Sequence, residues 1–280
     1  MTPTRAWCGA TATFPRMADD TVLYERRDPG IALLTLNRPE RLNAWNGELA
    51  ARYFELLDQA AADPEIKVIV VTGAGRGWCA GADMDTLQGI GASSGSGGAD
   101  AAAGGREQYH TTTVPKPVIA AINGACAGIG MVQALMCDLR FAAKGAKFTT
   151  AFSRRGLIAE YGMSWILPRL VGTSRAMDLL FSGRVFLAEE AAAMGLVNEV
   201  VEPEFLLDRT LEYAADLAVN ASPTSIAVMK QQVYADQNRG VIEASEGAIE
   251  LMKASLKRAD FKEGVASFLQ KRPPNFAPLS

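Results

Sequence analysis

The stretch Asn123–Pro168 reads NGACAGIGMVQALMCDLRFAAKGAKFTTAFSRRGLIAEYGMSWILP. It begins with small residues, among them Gly124, Gly128 and Gly130, which let a backbone approach a ligand closely. The apolar run Met131–Met136 follows and predicts a helix. A loop that leads into a helix N-terminus presents unpaired N–H groups and the positive end of the helix dipole, which suit an oxygen with negative charge. The glycine spacing matches neither the phosphate loop nor the dinucleotide fingerprint, so we favour an oxyanion hole over a phosphate site.

Strand-like and helix-like segments alternate on either side of this stretch, which predicts an α/β fold. Short apolar runs predict strands at Val22–Tyr24, Ile31–Leu36, Val68–Thr72 and Val118–Ile122. An amphipathic pattern predicts a helix at Gly47–Ala62, which ends before Asp63 and Pro64. Helical periodicity returns near the C-terminus, at Leu206–Val219, Pro223–Tyr234 and Val241–Leu256.

Composition and net charge argue against several kinds of ligand and partner. The 280 residues carry a formal net charge of −3, so no overall field favours nucleic acid or an anionic membrane surface. One histidine and four cysteines without a C-x-x-C pair provide too few ligands at the usual spacing for a metal site, and we expect no metal and no redox cofactor. We expect reduced cysteines in a cytoplasmic protein without a membrane span. Residues Met1–Asp20 lack sustained periodicity and predict a disordered extension.

A second glycine-rich loop, Gly73–Gly81, follows the buried strand at Val68–Thr72 and precedes a probable helix with Asp83 near its start. By itself this pattern is also typical of an ordinary strand-to-helix turn. The segment Ile90–Arg106 consists mainly of Gly, Ala and Ser and predicts a flexible linker or lid.

Taken together and in order, the motifs resemble the crotonase superfamily of enoyl-CoA hydratases and isomerases, over about Tyr24 to Phe276. The motifs are NRPERLNAWN, WCAGADM, PKPVIAAINGACAGIG, ALMCDLRFA, LPRLVG, FSGRVFLAEEAAAMGLVNEVV and EGVASFLQKRPPNF. The resemblance implies a spiral core of ββα units over residues 21–202 and a C-terminal helical region over residues 203–280. It also implies an acyl-CoA substrate and a homotrimer, or a hexamer formed by two trimers.

Carried over by position, the resemblance places the two oxyanion-hole donors on the backbone N–H groups of Ala80 and Ile129. Isoleucine stands where glycine is usual, and its side chain adds bulk beside the thioester. The two glutamates that hold water in hydratases correspond here to Val132 and Phe152, neither of which can move a proton. A single carboxylate, Glu160, stands where some Δ3,Δ2-enoyl-CoA isomerases carry their catalytic glutamate. Its apolar neighbours predict a raised pKa, and we expect Val132, Phe152 and Trp165 to line the substrate pocket.

Other polar residues are weaker candidates. The resemblance suggests contacts with CoA for Arg41, Ala82, Asp83 and Lys271, although Asp83 also resembles a helix cap. Arg154 and Arg155 are candidates for pairing with CoA phosphates or with a neighbouring subunit, or are simply exposed charges. His110 is a conceivable general base, but a loop-edge or helix-cap histidine is the favoured interpretation.

The sequence favours an acyl-CoA enzyme that moves a double bond with Glu160 as its proton shuttle. Two alternatives remain open at this point. One is an enoyl-CoA hydratase that uses Glu160 and a water molecule in a modified geometry. The other is a non-catalytic acyl-CoA binder that keeps the fold after losing both usual acids.

Overall fold

The computed structural model describes residues 20–85 and 105–279. Within these residues the strands, in chain order, are β1 (Val22–Arg27), β2 (Ile31–Leu36), β3 (Val68–Gly73), β4 (Gly77–Cys79), β5 (Val118–Ile122), β6 (Ala125–Ala127), β7 (Leu139–Ala143), β8 (Lys147–Thr149), β9 (Phe186–Leu187) and β10 (Glu199–Val201). The bounded α-helices are α1 (Gly47–Ala62), α2 (Ile129–Met136), α3 (Met163–Val171), α4 (Thr173–Ser182), α5 (Ala188–Ala193), α6 (Leu206–Asn220), α7 (Pro223–Asp236), α8 (Val241–Ser255) and α9 (Ala259–Gln270).

The larger of two sheets has six strands in the order β1-β2-β3-β5-β7-β10. The first two strands form an antiparallel hairpin, and every later pair in this sheet is parallel. Parallel strands covered on both faces read as continuous apolar runs, and β5 (VIAAI) is buried at all five positions. Helices α1 and α6 both pack against this sheet.

The second sheet has four short strands in the order β4-β6-β8-β9. It joins the two glycine-rich loops, because β4 pairs in parallel with β6, with Cys79 opposite Cys126. These strands have two or three residues each, which is too short for an alternating pattern to mark them in the sequence. This sheet is the part of the fold that positions the site.

The predicted α/β class is confirmed, and the predicted elements lie close to the observed ones. Helix α1 has the predicted bounds, and its N-terminus is capped by the Asn46 side chain, which accepts a hydrogen bond from the Leu49 N–H at 2.9 Å. Strand β1 continues to Arg27, three residues beyond its prediction. Helix α2 begins at Ile129, two residues before its prediction.

The C-terminal helices α6 to α9 account for the predicted helical region, and α8 has no buried residue within the described chain. The boundary at residue 203 stays a prediction. Residues 1–19 of the predicted extension and residues 90–104 of the predicted lid lie outside the described residues. Among the helices that the structure describes, none has the length and apolar character needed to cross a membrane.

Candidate active site

Two loops meet at the carboxyl ends of β4 and β6. The first runs from Ala80 to Asp83, and the second contains Gly128. Parallel pairing brings both strand ends to one edge of the small sheet. A Cβ built on Gly81 would lie 3.3 Å from the Ala127 carbonyl oxygen, and one built on Gly128 would lie 3.9 Å from the Gly81 Cα. The two loops are therefore in direct contact.

The first loop leaves the N–H groups of Gly81 and Ala82 without an acceptor in the described part of the chain. The Ala80 N–H donates to the Leu42 carbonyl oxygen at 3.0 Å, so the prediction that Ala80 supplies an oxyanion donor is wrong. On either side of Ala82, the Gly81 carbonyl oxygen accepts from the Trp45 N–H at 2.8 Å and the Asp83 N–H donates to the Trp45 oxygen at 2.9 Å. The Ala82 N–H itself has no acceptor among residues 20–85 and 105–279. Ala82, expected only as a CoA contact, thus carries a free N–H donor in this loop.

The second loop offers the first turn of α2. Gly128 has φ +50°, in the left-handed region that favours glycine, and its N–H donates to Thr149 at 3.1 Å. Ile129 is the first residue of the helix, so its N–H has no partner within the helix. The Ile129 side chain is only 4% exposed and packs in the core, and added bulk beside the thioester stays a prediction.

Glu160 lies in the turn that leads into α3. Its carbonyl oxygen accepts from the Met163 N–H at 2.9 Å, and the two residues between them have left-handed φ angles, +52° at Tyr161 and +80° at Gly162. The side chain is half-buried, and no basic group in the described chain forms an ion pair with it. Burial raises the pKa of Glu160, as its apolar neighbours predicted.

The elements that carry these groups pack against one another. Helix α3 contacts α2, and a Cβ built on Gly162 would lie 3.4 Å from the Met136 Cε at the end of α2. A half-buried carboxylate with a raised pKa can perform general acid/base chemistry, and the unpaired N–H groups in the first turn of α2 can stabilise an oxyanion.

Comparison with known proteins identifies the family of the chain. Residues 26–278 match the family model described as enoyl-CoA hydratase/isomerase. The chain belongs to the enoyl-CoA hydratase/isomerase family. This confirms the resemblance to the crotonase superfamily, and the relatives' names support an enzyme of hydratase or isomerase type.

Two relatives and two solved structures of the family illustrate the likeness. The 1,2-epoxyphenylacetyl-CoA isomerase of Escherichia coli K12 is 38% identical over 256 residues, which cover 89% of this chain and 95% of the relative. A probable enoyl-CoA hydratase of Rhodobacter capsulatus is 37% identical over 272 residues, covering 93% and 99%. The crystal structure of an enoyl-CoA hydratase from Mycobacterium marinum is 55% identical, with a TM-score of 0.68 and coverage of 79% and 100%. That of an enoyl-CoA hydratase from Polaromonas sp. JS666 is 31% identical, with a TM-score of 0.85 and coverage of 91% and 99%.

The two positions that the resemblance aligns with the hydratase glutamates are closed to solvent. Val132 is 0% exposed and Phe152 is 4% exposed, and both pack in the hydrophobic core. Trp165 is half-buried, and the Arg169 guanidinium lies 4.4 Å from its ring centroid. The role of Val132, Phe152 and Trp165 in lining a substrate pocket stays a prediction.

His110 is held by its neighbours. Its Nε2 lies 2.6 Å from Asp58 Oδ1, its Nδ1 lies 3.3 Å from Thr113 Oγ1, and its ring packs edge-on against Phe54. Burial opposes ionisation of Asp58, but hydrogen bonds from His110 and Arg106 outweigh it and lower the pKa of this carboxyl. With both ring nitrogens engaged, His110 joins residues 108–113 to α1, as expected of a loop-edge histidine.

The structure separates the remaining CoA candidates. Asp83 is 4% exposed, and its two carboxylate oxygens pair with Arg38 at 2.7 Å and with the Asp85 N–H at 3.2 Å, which favours a structural role; its contact with CoA stays a prediction. Arg41 is exposed and lies 3.6 Å from Asp85. Lys271 is exposed at the left-handed C-terminus of α9. Contacts of Arg41 and Lys271 with CoA stay predictions.

Of the two adjacent arginines, one has a structural partner. Arg154 Nε donates at 2.8 Å to the backbone carbonyl oxygen of Ser182, the last residue of α4. Arg155 is exposed. Of the two, Arg155 is thus the better candidate for a ligand or a neighbouring subunit.

Proposed function

We propose that this enzyme moves a double bond in an acyl-CoA thioester through an enolate, as an enoyl-CoA isomerase of the Δ3,Δ2 type. One observation carries the proposal most directly: the carboxylate Glu160 is half-buried with a raised pKa, while the positions of the two hydratase acids, Val132 and Phe152, are apolar and buried. One carboxylate is sufficient for an isomerisation, whereas addition of water requires a positioned water and a proton relay.

In this mechanism the thioester oxygen accepts hydrogen bonds from the Ala82 and Ile129 N–H groups. The Glu160 carboxylate takes a proton from C2 of a 3-enoyl thioester, and the electron pair of the broken C–H bond delocalises into a dienolate. Glu160 then delivers the proton to C4, which leaves the double bond between C2 and C3 and regenerates the carboxylate. Each backbone donor is worth on the order of 10²–10³ in rate.

The raised pKa of Glu160 supports this role. A base is most effective when its pKa approaches the working pH, because proton transfer from a weakly acidic carbon then has the larger driving force. Burial supplies the shift without a partner charge that would hold the carboxylate in an ion pair.

The names of relatives support a CoA thioester as the substrate. The E. coli relative is named an isomerase of 1,2-epoxyphenylacetyl-CoA, and the R. capsulatus relative is named a probable enoyl-CoA hydratase. The hydratase names favour a second candidate, in which Glu160 acts on a water molecule.

Product mass separates the candidates. Purified enzyme is incubated with a 3-enoyl-CoA and, separately, with crotonyl-CoA, and the products are resolved by chromatography and mass spectrometry. Isomerisation gives a product of unchanged mass from the 3-enoyl-CoA. Rapid gain of one water molecule by crotonyl-CoA contradicts the isomerase and supports the hydratase. CoA binding with neither product supports a non-catalytic binder.

We also propose a homotrimer or a dimer of trimers. Helices α8 and α9 expose large apolar side chains, including Val241 (83%), Ile242 (74%), Phe268 (83%) and Leu269 (74%). Exposed apolar faces of this extent are typical of subunit interfaces. Light scattering coupled to size-exclusion chromatography gives the mass of the assembly.

A cytoplasmic location is part of the same proposal. Cys79, Cys126 and Cys137 are free and buried, as is common in reducing compartments. Burial raises the pKa of Cys79 and of Cys137 to about 12, so neither thiol is a reactive thiolate at neutral pH.

A further inference from the structure

We infer that Arg38 and Asp83 are positioning residues for the oxyanion hole, because their buried ion pair fixes the loop that presents the Ala82 N–H. This inference rests on the proposed function, since it assigns a purpose to the loop geometry of that site. Neither side chain is assigned a contact with the substrate.

The loop is aligned along its whole length with the chain between Arg38 and Trp45. The Ala80 N–H donates to Leu42, and the backbone of Trp45 pairs with the residues on both sides of Ala82. In such a parallel bridge the N–H of the middle residue points away from the partner strand. The direction of the Ala82 N–H is therefore set by how firmly the loop is held against this segment.

The ion pair of Arg38 with Asp83 holds the last residue of the loop against the same segment. Arg38 Nη2 lies 2.7 Å from Asp83 Oδ2, while Nη1 of the same guanidinium donates to the Ala44 carbonyl oxygen at 2.6 Å. A planar guanidinium fixes both directions at once, which a lysine ammonium cannot do. The side chains of Arg38 and Asp83 are 16% and 6% exposed, so solvent screens the pair little.

The Asp83 carboxyl remains ionised at neutral pH. Burial opposes ionisation of Asp83, but the hydrogen bonds from Arg38 and from the Asp85 N–H outweigh it and lower the pKa of the carboxyl. Arg38 is itself held in place, because its backbone N–H donates to Asn43 Oδ1 at 2.8 Å. Gly81, with φ +110°, lies between the hydrogen bonds that hold Ala80 and Asp83, in a backbone conformation that favours glycine.

The test compares Asp83→Asn and Arg38→Lys with wild type. The control is Glu202→Gln, which breaks an exposed ion pair with Lys144 of similar length, 2.7 Å. Three quantities are measured: the rate of C2 proton exchange of a bound acyl-CoA with deuterated water, the Kd of a thioether analogue that lacks the carbonyl, and the infrared carbonyl stretch of a bound ¹³C-labelled thioester.

We expect both variants to lose about 10- to 100-fold in exchange rate, since a displacement of about 1 Å in a catalytic group costs on this order. The Kd of the thioether should change by about twofold or less, because its binding does not use the hole. The carbonyl stretch should move to higher wavenumber, which reports a weaker hydrogen bond to the thioester oxygen. The control variant Glu202→Gln should match wild type in exchange rate, thioether Kd and carbonyl stretch.

A folded Asp83→Asn protein with wild-type exchange and an unmoved carbonyl band overturns the inference. Equal losses in exchange and thioether binding, again with an unmoved band, indicate a general structural role and overturn it as well. If Asp83→Asn does not fold, Arg38→Lys, which keeps the positive charge, is tested instead by the same shift of the infrared carbonyl band. Absence of C2 proton exchange in the wild-type enzyme contradicts the proposed function and not this inference. The carbonyl band of the bound thioester still tests whether the ion pair positions the Ala82 N–H.

Discussion

Gly130→Ala tests whether the two loops must touch to form the site. A Cβ at position 130 would lie 2.3 Å from the Cys79 carbonyl oxygen, 2.7 Å from its Sγ and 2.8 Å from its Cβ. Since all three atoms belong to a fully buried residue, the first turn of α2 must move by about 1 Å to restore ordinary van der Waals contact. That movement separates the Ile129 N–H from the Ala82 N–H.

Two effects of known size follow from this movement. Misplacement of a catalytic group by about 1 Å costs roughly 10² in rate, and complete loss of one donor costs on the order of 10²–10³. Overpacking of a buried contact typically costs about 1–3 kcal/mol of the free energy of unfolding. We therefore expect C2 proton exchange to fall by about 10²-fold or more, with only a modest fall in the unfolding temperature.

The assay measures exchange by mass spectrometry and unfolding by calorimetry on the same preparation. Gly240→Ala is a control at the start of another helix, because Gly240 is the N-cap of α8, has an ordinary φ of −76° and has no atom within 4 Å of an added Cβ. The control should retain wild-type exchange. Wild-type exchange and stability in Gly130→Ala would refute the reasoning, since they would show that the loops do not need this close approach.

Three further outcomes are expected. Asn43→Ala should lower the free energy of unfolding, measured by urea titration, by about 2–4 kcal/mol. Asn43 Nδ2 donates to the Ala74 and Gly77 carbonyl oxygens at 3.0 and 2.7 Å, and each buried group left unpaired costs about 1–3 kcal/mol. An unchanged urea midpoint would contradict this prediction. The rate of C2 proton exchange should rise with pH, with an inflection above the ordinary pKa of a glutamate. Glu160 must be ionised to act as a base, and burial raises its pKa. An inflection at or below the ordinary glutamate pKa would contradict the raised pKa. Phe268→Glu should reduce the mass of the assembly seen by light scattering, because an exposed apolar face of α9 would then carry charge in the proposed interface; an assembly of wild-type mass would exclude Phe268 from that interface.

The pH dependence of stability has a definite sign for Glu160. Its pKa is higher in the folded chain than in the unfolded chain, so the folded state binds more protons between the two values. The contribution of Glu160 to the free energy of unfolding is therefore complete below the unfolded pKa and is lost as the pH rises through the folded pKa. Glu160→Gln should remove that dependence.

The sequence predicted the elements whose patterns are local. Helix α1, strands β2 and β5, and the helix start near Gly128 follow from hydrophobic periodicity, the stop at Asp63 and Pro64, and glycine placement. The raised pKa of Glu160 was also predictable, because apolar neighbours surround it in the sequence.

The identity of the first oxyanion donor was not predictable in the same way. Ala80 and Ala82 are identical side chains two residues apart in one loop, and neither propensity nor spacing distinguishes their N–H groups. The choice depends on a pairing with Leu42 and Trp45, which lie nearly forty residues earlier in the chain. The ion pair of Arg38 with Asp83 is non-local for the same reason.

The most direct test of the central claim is C2 proton exchange of a bound acyl-CoA with deuterated water in wild-type enzyme and in Glu160→Gln. Glutamine has nearly the shape of glutamate but cannot accept the proton, so binding should survive while exchange falls by roughly 10² or more. A fall of this size with unchanged acyl-CoA affinity is the result we predict. Wild-type exchange in Glu160→Gln would contradict the assignment of Glu160 as the catalytic base.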